Sequence, residues 1–228
     1  MCEHPEVATL VAALGCEPEN SLLLQALTHR SFSYENGGIA HNERLEFLGD
    51  SVLGLAVTTK LFDDNPEFAE GELARHRAAL VSTLALAEIA RSIGLGDYVR
   101  LGKGEELTGG RDKDSILADT VEAIIGATYL SCGPEDAQAL VRRLIEPLER
   151  DVNRFGAATD PKTYLQELAA KRSLSVSYSV VAQGPDHAKE FTATVTVGGV
   201  EAGSGMGSSK KQAEMAAALI AWNSLSEA

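Results

Sequence analysis

In the segment His41-Asn42-Glu43-Arg44-Leu45-Glu46-Phe47-Leu48-Gly49-Asp50-Ser51-Val52-Leu53, the carboxylates of Glu43, Glu46 and Asp50 recur at i, i+3 and i+7. On a helix that spacing puts them on one narrow face, with Leu45, Leu48 and Val52 on the other side. Three stacked carboxylates repel one another. Either they form a solvated acidic stripe or they hold cations. A second stretch, Ser115 to Leu130, is apolar or small except for Asp119 and Glu122, again at i, i+3. Carboxylates in such surroundings must be paired, protonated or bound to metal. A salt bridge to Arg44, Arg75 or Arg77 is one way to satisfy them, and protonation and a bound metal ion are the others. Hard oxygen ligands without a His or Cys pattern favour Mg²⁺ or Mn²⁺ over zinc. Acids from two helices suit a pair of ions that activate water and steady the leaving oxygen in phosphodiester hydrolysis.

The elements that must position these acids are helices. From Ser21 to about Arg154 the apolar residues recur at three and four, as in Ser82 to Ala90 and Ala137 to Ile145. Small residues then interrupt the pattern at Phe155-Gly156-Ala157-Ala158-Thr159, and Asp160-Pro161 reads as an N-cap followed by a first-turn proline. Residues 155–160 are expected to be a linker between a helical domain, 1–154, and a smaller domain, 161–228. After a helix from about Pro161 to Lys171 the period falls to 2 in 176–180 and 191–197, which predicts strands. Gly198-Gly199 predicts a hairpin turn into a third strand near 200–205, and Ser208-Ser209 caps a last helix to about Ser224. The expected fold class is an all-α N-terminal domain followed by an α+β domain of order α-β-β-β-α.

The net charge of −13 argues at first against a nucleic-acid partner. Its distribution alters the inference: residues 1–159 hold 26 acidic against 14 basic side chains, and 160–228 hold 7 against 6. Cations bound among the first group would reverse the field that a polyanion meets. In the tail, Lys210 and Lys211 open a helix whose dipole is already positive there. Either the fold tolerates a small surface penalty or duplex phosphates compensate it.

Other features carry less. The glycines around Gly102-Lys103-Gly104 and Gly109-Gly110-Arg111 lack the strand and the Gly-Lys-Ser/Thr of a nucleotide loop, and are expected to form a mobile loop. Cys2, Cys16 and Cys132 are too irregular for a disulfide set or zinc site, and the five histidines lack metal spacing. Neither a secretory leader nor an apolar run long enough to span a bilayer is visible, so no membrane association and a cytoplasmic location are expected.

The run Asn42 to Leu53 resembles the signature segment of the bacterial ribonuclease III family. Thr28-His29-Arg30-Ser31-Phe32, Leu101-Gly102-Lys103-Gly104-Glu105 and Ile116-Leu117-Ala118-Asp119-Thr120-Val121-Glu122-Ala123 follow in that family's order. Asp160 to Trp222 resembles its double-stranded-RNA-binding domain. The resemblance implies a Mg²⁺-dependent (Mn²⁺ possible) homodimeric endonuclease acting on double-stranded RNA. It further implies 5′-phosphate and 3′-hydroxyl ends, short 3′ overhangs, and ribosomal RNA precursors and messenger RNA as substrates. By the same resemblance Glu46, Asp50, Asp119 and Glu122 are metal ligands, with Asp50 and Glu122 the catalytic pair. Glu43 and Glu70 are accessory acids, and Phe47 packs into the partner subunit. Thr163, Gln166 and Glu167 face one minor groove, His187 enters the next, and Lys210 and Lys211 clamp phosphate. Glu214 departs from the family pattern, which often places another basic residue near it. A non-catalytic dimeric double-stranded-RNA-binding protein, or a phosphohydrolase acting on small phosphates, are the competing expectations. The first leaves the carboxylate set unexplained and the second the tail.

Overall fold

The computed structural model describes residues 7–185 and 189–226. The chain divides into two compact units, Met1–Val152 and Asn153–Ala228.

The first unit is helical. In chain order it contains α1 (Val7–Leu14), α2 (Asn20–Ala26), α3 (Arg30–Glu35), α4 (Glu43–Asp64), α5 (Glu70–Leu80) and α6 (Thr83–Ser92). α7 (Lys103–Leu107), α8 (Asp114–Cys132) and α9 (Pro134–Ile145) follow. Its centre is α8, which buries Leu117, Val121, Ile124 and Ile125 among other apolar and small side chains. α4 packs along it and buries Leu45, Leu53, Ala56 and Val57. Sequence hydropathy hides this contact surface, because its middle is made of glycine.

The glycine-rich stretch expected to be a mobile loop is instead structured. Lys103–Leu107 is helix α7, and Gly110–Asp112 forms a single 3-10 turn. Side chains, which periodicity cannot show, hold it. The Arg111 guanidinium donates to the carbonyls of Gly96 and Val99 at 3.1 and 2.9 Å, and Lys113 pairs with Glu105. The Gly102 amide donates to Ser31 Oγ at 2.9 Å and the Lys103 amide to Glu35 Oε2 at 3.1 Å, which fixes the stretch to α3.

Residues 155–160, expected to be a linker, are helical up to Thr159 in α10 (Val152–Thr159). The small residues there serve packing: Phe155 and Ala157 are fully buried, and a Cβ on Gly156 would lie 2.0 Å from the Tyr164 hydroxyl. Asp160 then caps α11 (Pro161–Lys171), its carboxylate accepting from the Thr163 amide at 3.3 Å.

The second unit continues with β1 (Val176–Gln183), β2 (Glu190–Val197), β3 (Val200–Gly207) and α12 (Lys210–Ser226). The strands form an antiparallel sheet in sequence order, pairing Val180 with Ala193 and Ala193 with Gly205. Gly198 and Gly199 have φ of +62° and +83°, as a type I′ hairpin turn requires. The period-2 face of β2 buries Ala193, Val195 and Val197 against Leu165, Ala217 and Trp222 of the two helices.

Candidate metal centre and RNA-facing surface

Glycine decides how closely α4 and α8 approach. A Cβ on Gly49 would lie 1.8 Å from the Glu122 carbonyl oxygen, and one on Gly126 would lie 2.2 Å from that of Leu45. The backbones therefore touch at this crossing. Glu46 and Asp50 flank Gly49, and Glu122 stands one turn before Gly126, so the contact brings acids of both helices together.

Glu46, Asp119 and Glu122 are the acids so assembled: each offers a carboxylate oxygen, and the three oxygens lie within 4.8 Å of one another. All three are half-buried. Burial is the first cause of their raised proton affinity. It pushes the Asp119 carboxyl up, and Glu46 up with help from Asp119 and Glu43. Glu122 is pushed up to about 8 by burial and then by Asp50, Asp119 and Glu46. Asp50 is exposed and lies outside this trio, although its charge is felt at Glu122.

The salt bridges considered for Asp119 and Glu122 are not made: among the described residues neither has an ion-pair partner. The cation that acts on the cluster is Arg30, which eases Asp119 and Glu46 and pairs with Glu43 at 3.3 Å. Three desolvated oxygens that repel one another are suited to a hard divalent ion. The donor set therefore fits Mg²⁺ or Mn²⁺, and it contains nothing that selects zinc.

Glu43 lies at the rim, held by Arg30 and 3.8 Å from His41 Nδ1. Glu70 is not part of the cluster. It lines a separate depression of about 200 Å³ with Thr58, Phe62, Leu73 and Arg77. Phe47 projects outward with 79% of its surface exposed, beside a depression of about 640 Å³ bordered by Leu22, Arg44, Leu48 and Leu130. Leu55 and Phe62 on the same helix are also exposed, at 61% and 69%.

In the second unit, Thr163, Gln166 and Glu167 share one side of α11, with Gln166 exposed. Lys210 and Lys211 stand exposed in the first turn of α12, whose start is fixed by Ser209 Oγ accepting from the Gln212 amide at 3.2 Å. Gln212 reaches back to Ser208 in return. His187 lies outside the described residues. Glu214 faces Lys162 of α11 at 2.6 Å, and that ammonium also sits 4.8 Å from the Tyr178 ring centre. The acid at this unusual position thus ties the two helices together.

Sequence patterning singled out the acids but missed Gly49, Gly126 and Arg30. A signal for the glycines was present: a helix interior disfavours glycine by roughly 1 kcal/mol relative to alanine, so one there implies a close neighbour.

A helical unit with an acid cluster, followed by an α-β-β-β-α unit with lysines at a helix start, defines the class of two-module nucleic-acid hydrolases. Residues 19–148 match the Ribonuclease-III-like family and residues 161–225 the double-stranded RNA binding motif. Ribonuclease 3 of Leifsonia xyli is 61% identical over 98% of this chain and 94% of its own length. That of Streptomyces coelicolor is 56% identical over 95% and 79%. Among solved structures, the nuclease domain of ribonuclease III from Campylobacter jejuni is 45% identical, with a TM-score of 0.59 over 62% of this chain and 95% of its own. A second structure of that domain, with the same identity and TM-score, describes structural flexibility in a region involved in dimer formation. The chain belongs to the ribonuclease III family. Among its described residues, no helix is long and apolar enough to cross a membrane.

Proposed function

We propose that this chain is an endoribonuclease that hydrolyses phosphodiester bonds in double-stranded RNA with a divalent cation, Mg²⁺ or Mn²⁺. The observation that carries this is the set of three carboxylate oxygens within 4.8 Å, in a chain that also holds a double-stranded RNA binding motif. A non-catalytic binder offers no reason to bury mutually repelling acids. Glu46, Asp119 and Glu122 would hold the ion, with Asp50 joining from the exposed side. When bound, the cation supplies Lewis acidity and a nucleophilic water at neutral pH.

The protein's own contribution is positional. Helices α4 and α8 fix the acids through backbone contact, and burial makes their charged forms costly unless a cation sits among them. Asp50 and Glu122 are the pair assigned the hydrolytic role, and Glu43 and Glu70 are accessory. The catalytic unit is taken as 1–154 and the RNA-binding unit as 161–228. In the latter, Thr163, Gln166 and Glu167, with His187, Lys210 and Lys211, read the shape of a duplex through its 2′-hydroxyls and phosphates.

The functional particle is a homodimer, with Phe47 of one copy seated in the partner. An exposed phenylalanine beside an apolar depression supports this, since burying it in water-free surroundings favours association. Paired sites would leave 5′-phosphate and 3′-hydroxyl ends with short 3′ overhangs. Ribosomal RNA precursors and structured messenger RNA in the cytoplasm are the proposed substrates.

Incubation with an end-labelled RNA duplex, with and without Mg²⁺, tests this on a denaturing gel. Metal-dependent offset cuts on both strands are expected. Intact RNA that the protein nevertheless retains would instead establish a binding protein.

A further inference from the structure

Beside the carboxylates lies a cleft of about 490 Å³ whose lining includes Glu46 and Asp119, the ion-paired Glu43 with Arg30 and Glu105 with Lys113, and the neutral Asn42 and Ser115. Asn42 occupies the N-cap of α4, where an asparagine side chain ordinarily accepts from a free backbone N–H. Here it makes no cap bond, and its φ of −77° and ψ of −23° are helical rather than extended. Its main chain is fully used: the amide donates to the Thr28 carbonyl at 2.9 Å, and the carbonyl accepts from Leu45 and Glu46. The carboxamide has no hydrogen-bond partner among the described residues, although only 2% of Asn42 is exposed. The buried side-chain atoms left without a partner among the described residues are His41 Nδ1 and Tyr178 Oη, not those of Asn42, so its two N–H donors and its acceptor open on the cleft, free for a group that enters it.

The surroundings say which ligand. α4 has 22 residues and α8 has 19, both begin at this cleft, and neither start is capped by a side chain. Two helix N-termini with free N–H groups favour an anion. Arg30 and Lys113 add positive charge, but each is already held by a carboxylate, Glu43 and Glu105. A lysine at position 42 would be captured by Glu43 or Glu46 in the same way. A neutral amide escapes that capture and keeps its donors for an incoming oxygen.

We propose that Asn42 donates a hydrogen bond to a backbone phosphate of the RNA strand that adjoins the scissile one, and so positions the strand across the carboxylates. This rests on the nuclease reading given above. The spacing agrees: Asn42 precedes Glu46, and Ser115 precedes Asp119, by four residues, about one helical turn of 5.4 Å. That is the scale of one nucleotide step, so a strand with its cut phosphate at Glu46 and Asp119 carries its neighbour into the cleft.

The test is a set of duplexes in which single phosphates on either side of the cut are replaced by neutral methylphosphonates. Full-length wild type and Asn42→Ala are assayed in single turnover with saturating Mg²⁺. One adjoining methylphosphonate should slow the wild type about tenfold, and Asn42→Ala should be slowed about as much on unmodified RNA. The two together should slow cleavage no further, because both remove the same bond. Ser115→Ala, an exposed hydroxyl whose loss cannot unfold the helix, should also lessen sensitivity at that position alone. Effects that multiply at every position, or a wild type indifferent to all flanking methylphosphonates, overturn the proposal while leaving the nuclease intact. Inhibition by inorganic phosphate that Asn42→Ala relieves, without any positional effect, would make this a free-anion site and also overturn it. A wild type that cuts no duplex would sink the nuclease reading and this proposal with it.

Discussion

Replacing Gly49 with alanine sets two physical effects against each other. Alanine is the better helix former by roughly 1 kcal/mol, so propensity alone makes Gly49→Ala stabilising. The added methyl, however, would lie 1.8 Å from the Glu122 carbonyl oxygen and 2.5 Å from its carbon. Ordinary contact begins near 3.4 Å, so the helices must part by about 1.6 Å along that line. The obstacle is backbone, and no side-chain rotation can relieve it. Overpacking of this kind costs about 1–3 kcal/mol. With the upper value and the propensity gain, a net loss of about 2 kcal/mol is expected. The same parting would spread carboxylate oxygens now within 4.8 Å, and a misplacement of roughly 1 Å can lower a rate about 100-fold.

Two probes separate the units in this experiment. Trp222, the only tryptophan, lies in the core of the second unit, whereas the first unit holds most of the helix. In urea, the far-ultraviolet circular dichroism transition of Gly49→Ala should move to lower concentration while the tryptophan transition stays in place. Single-turnover cleavage should fall about 100-fold. Gly104→Ala, where an added Cβ meets nothing within 4 Å, should be neutral or stabilised by up to about 1 kcal/mol. Should Gly49→Ala prove as stable and as active as wild type, glycine contact would not be what assembles the acid cluster.

Glu122→Gln should retain duplex RNA in a gel-shift assay yet lose cutting by about 100-fold or more, since it removes charge but keeps shape. In metal-free protein the folded form holds the Glu122 proton up to about 8, against an ordinary 4.5. The folded state therefore binds more protons between these values, and stability should fall as pH rises from about 4.5 to 8. Screening at this half-exposed group limits the loss to roughly 2–4 kcal/mol. Urea midpoints measured in chelator at pH 5 and pH 8 should show the slope in wild type and a smaller one in Glu122→Gln, and equal slopes would refute it. If the proposed dimer forms through Phe47, Phe47→Asp should yield monomer by light scattering and abolish paired cuts, whereas an unchanged mass would remove Phe47 from any such interface. Lys210→Ala with Lys211→Ala should weaken duplex binding for all sequences alike and lower the salt dependence of affinity by about two counterions. An unchanged slope would exclude them from phosphate contact.

Local chemistry determined much in the sequence. The Pro161–Lys171 helix, the start of β1 and the Gly198-Gly199 turn followed from an N-cap aspartate with a first-turn proline, period-2 alternation and paired glycines, because each is decided within a few residues. The acids were legible for a similar reason: Glu43, Glu46, Asp50, Asp119 and Glu122 stand at helical spacing against apolar neighbours, and spacing alone assigns a face. Segment 155–160 was not legible. Its small residues looked like a break, but they are helical because Gly156 makes room for Tyr164 and Phe155 is buried.

What only tertiary structure decided is which acids meet. Spacing within a helix is fixed by the chain, but the distance between helices depends on whether their backbones can touch. Gly49 and Gly126 let α4 and α8 touch, so Glu46, Asp119 and Glu122 share a site while Asp50 stays outside it and Glu70 lines a different depression. The fold likewise leaves the Asn42 side chain beside that site with no hydrogen-bond partner among the described residues, a condition no window of sequence contains.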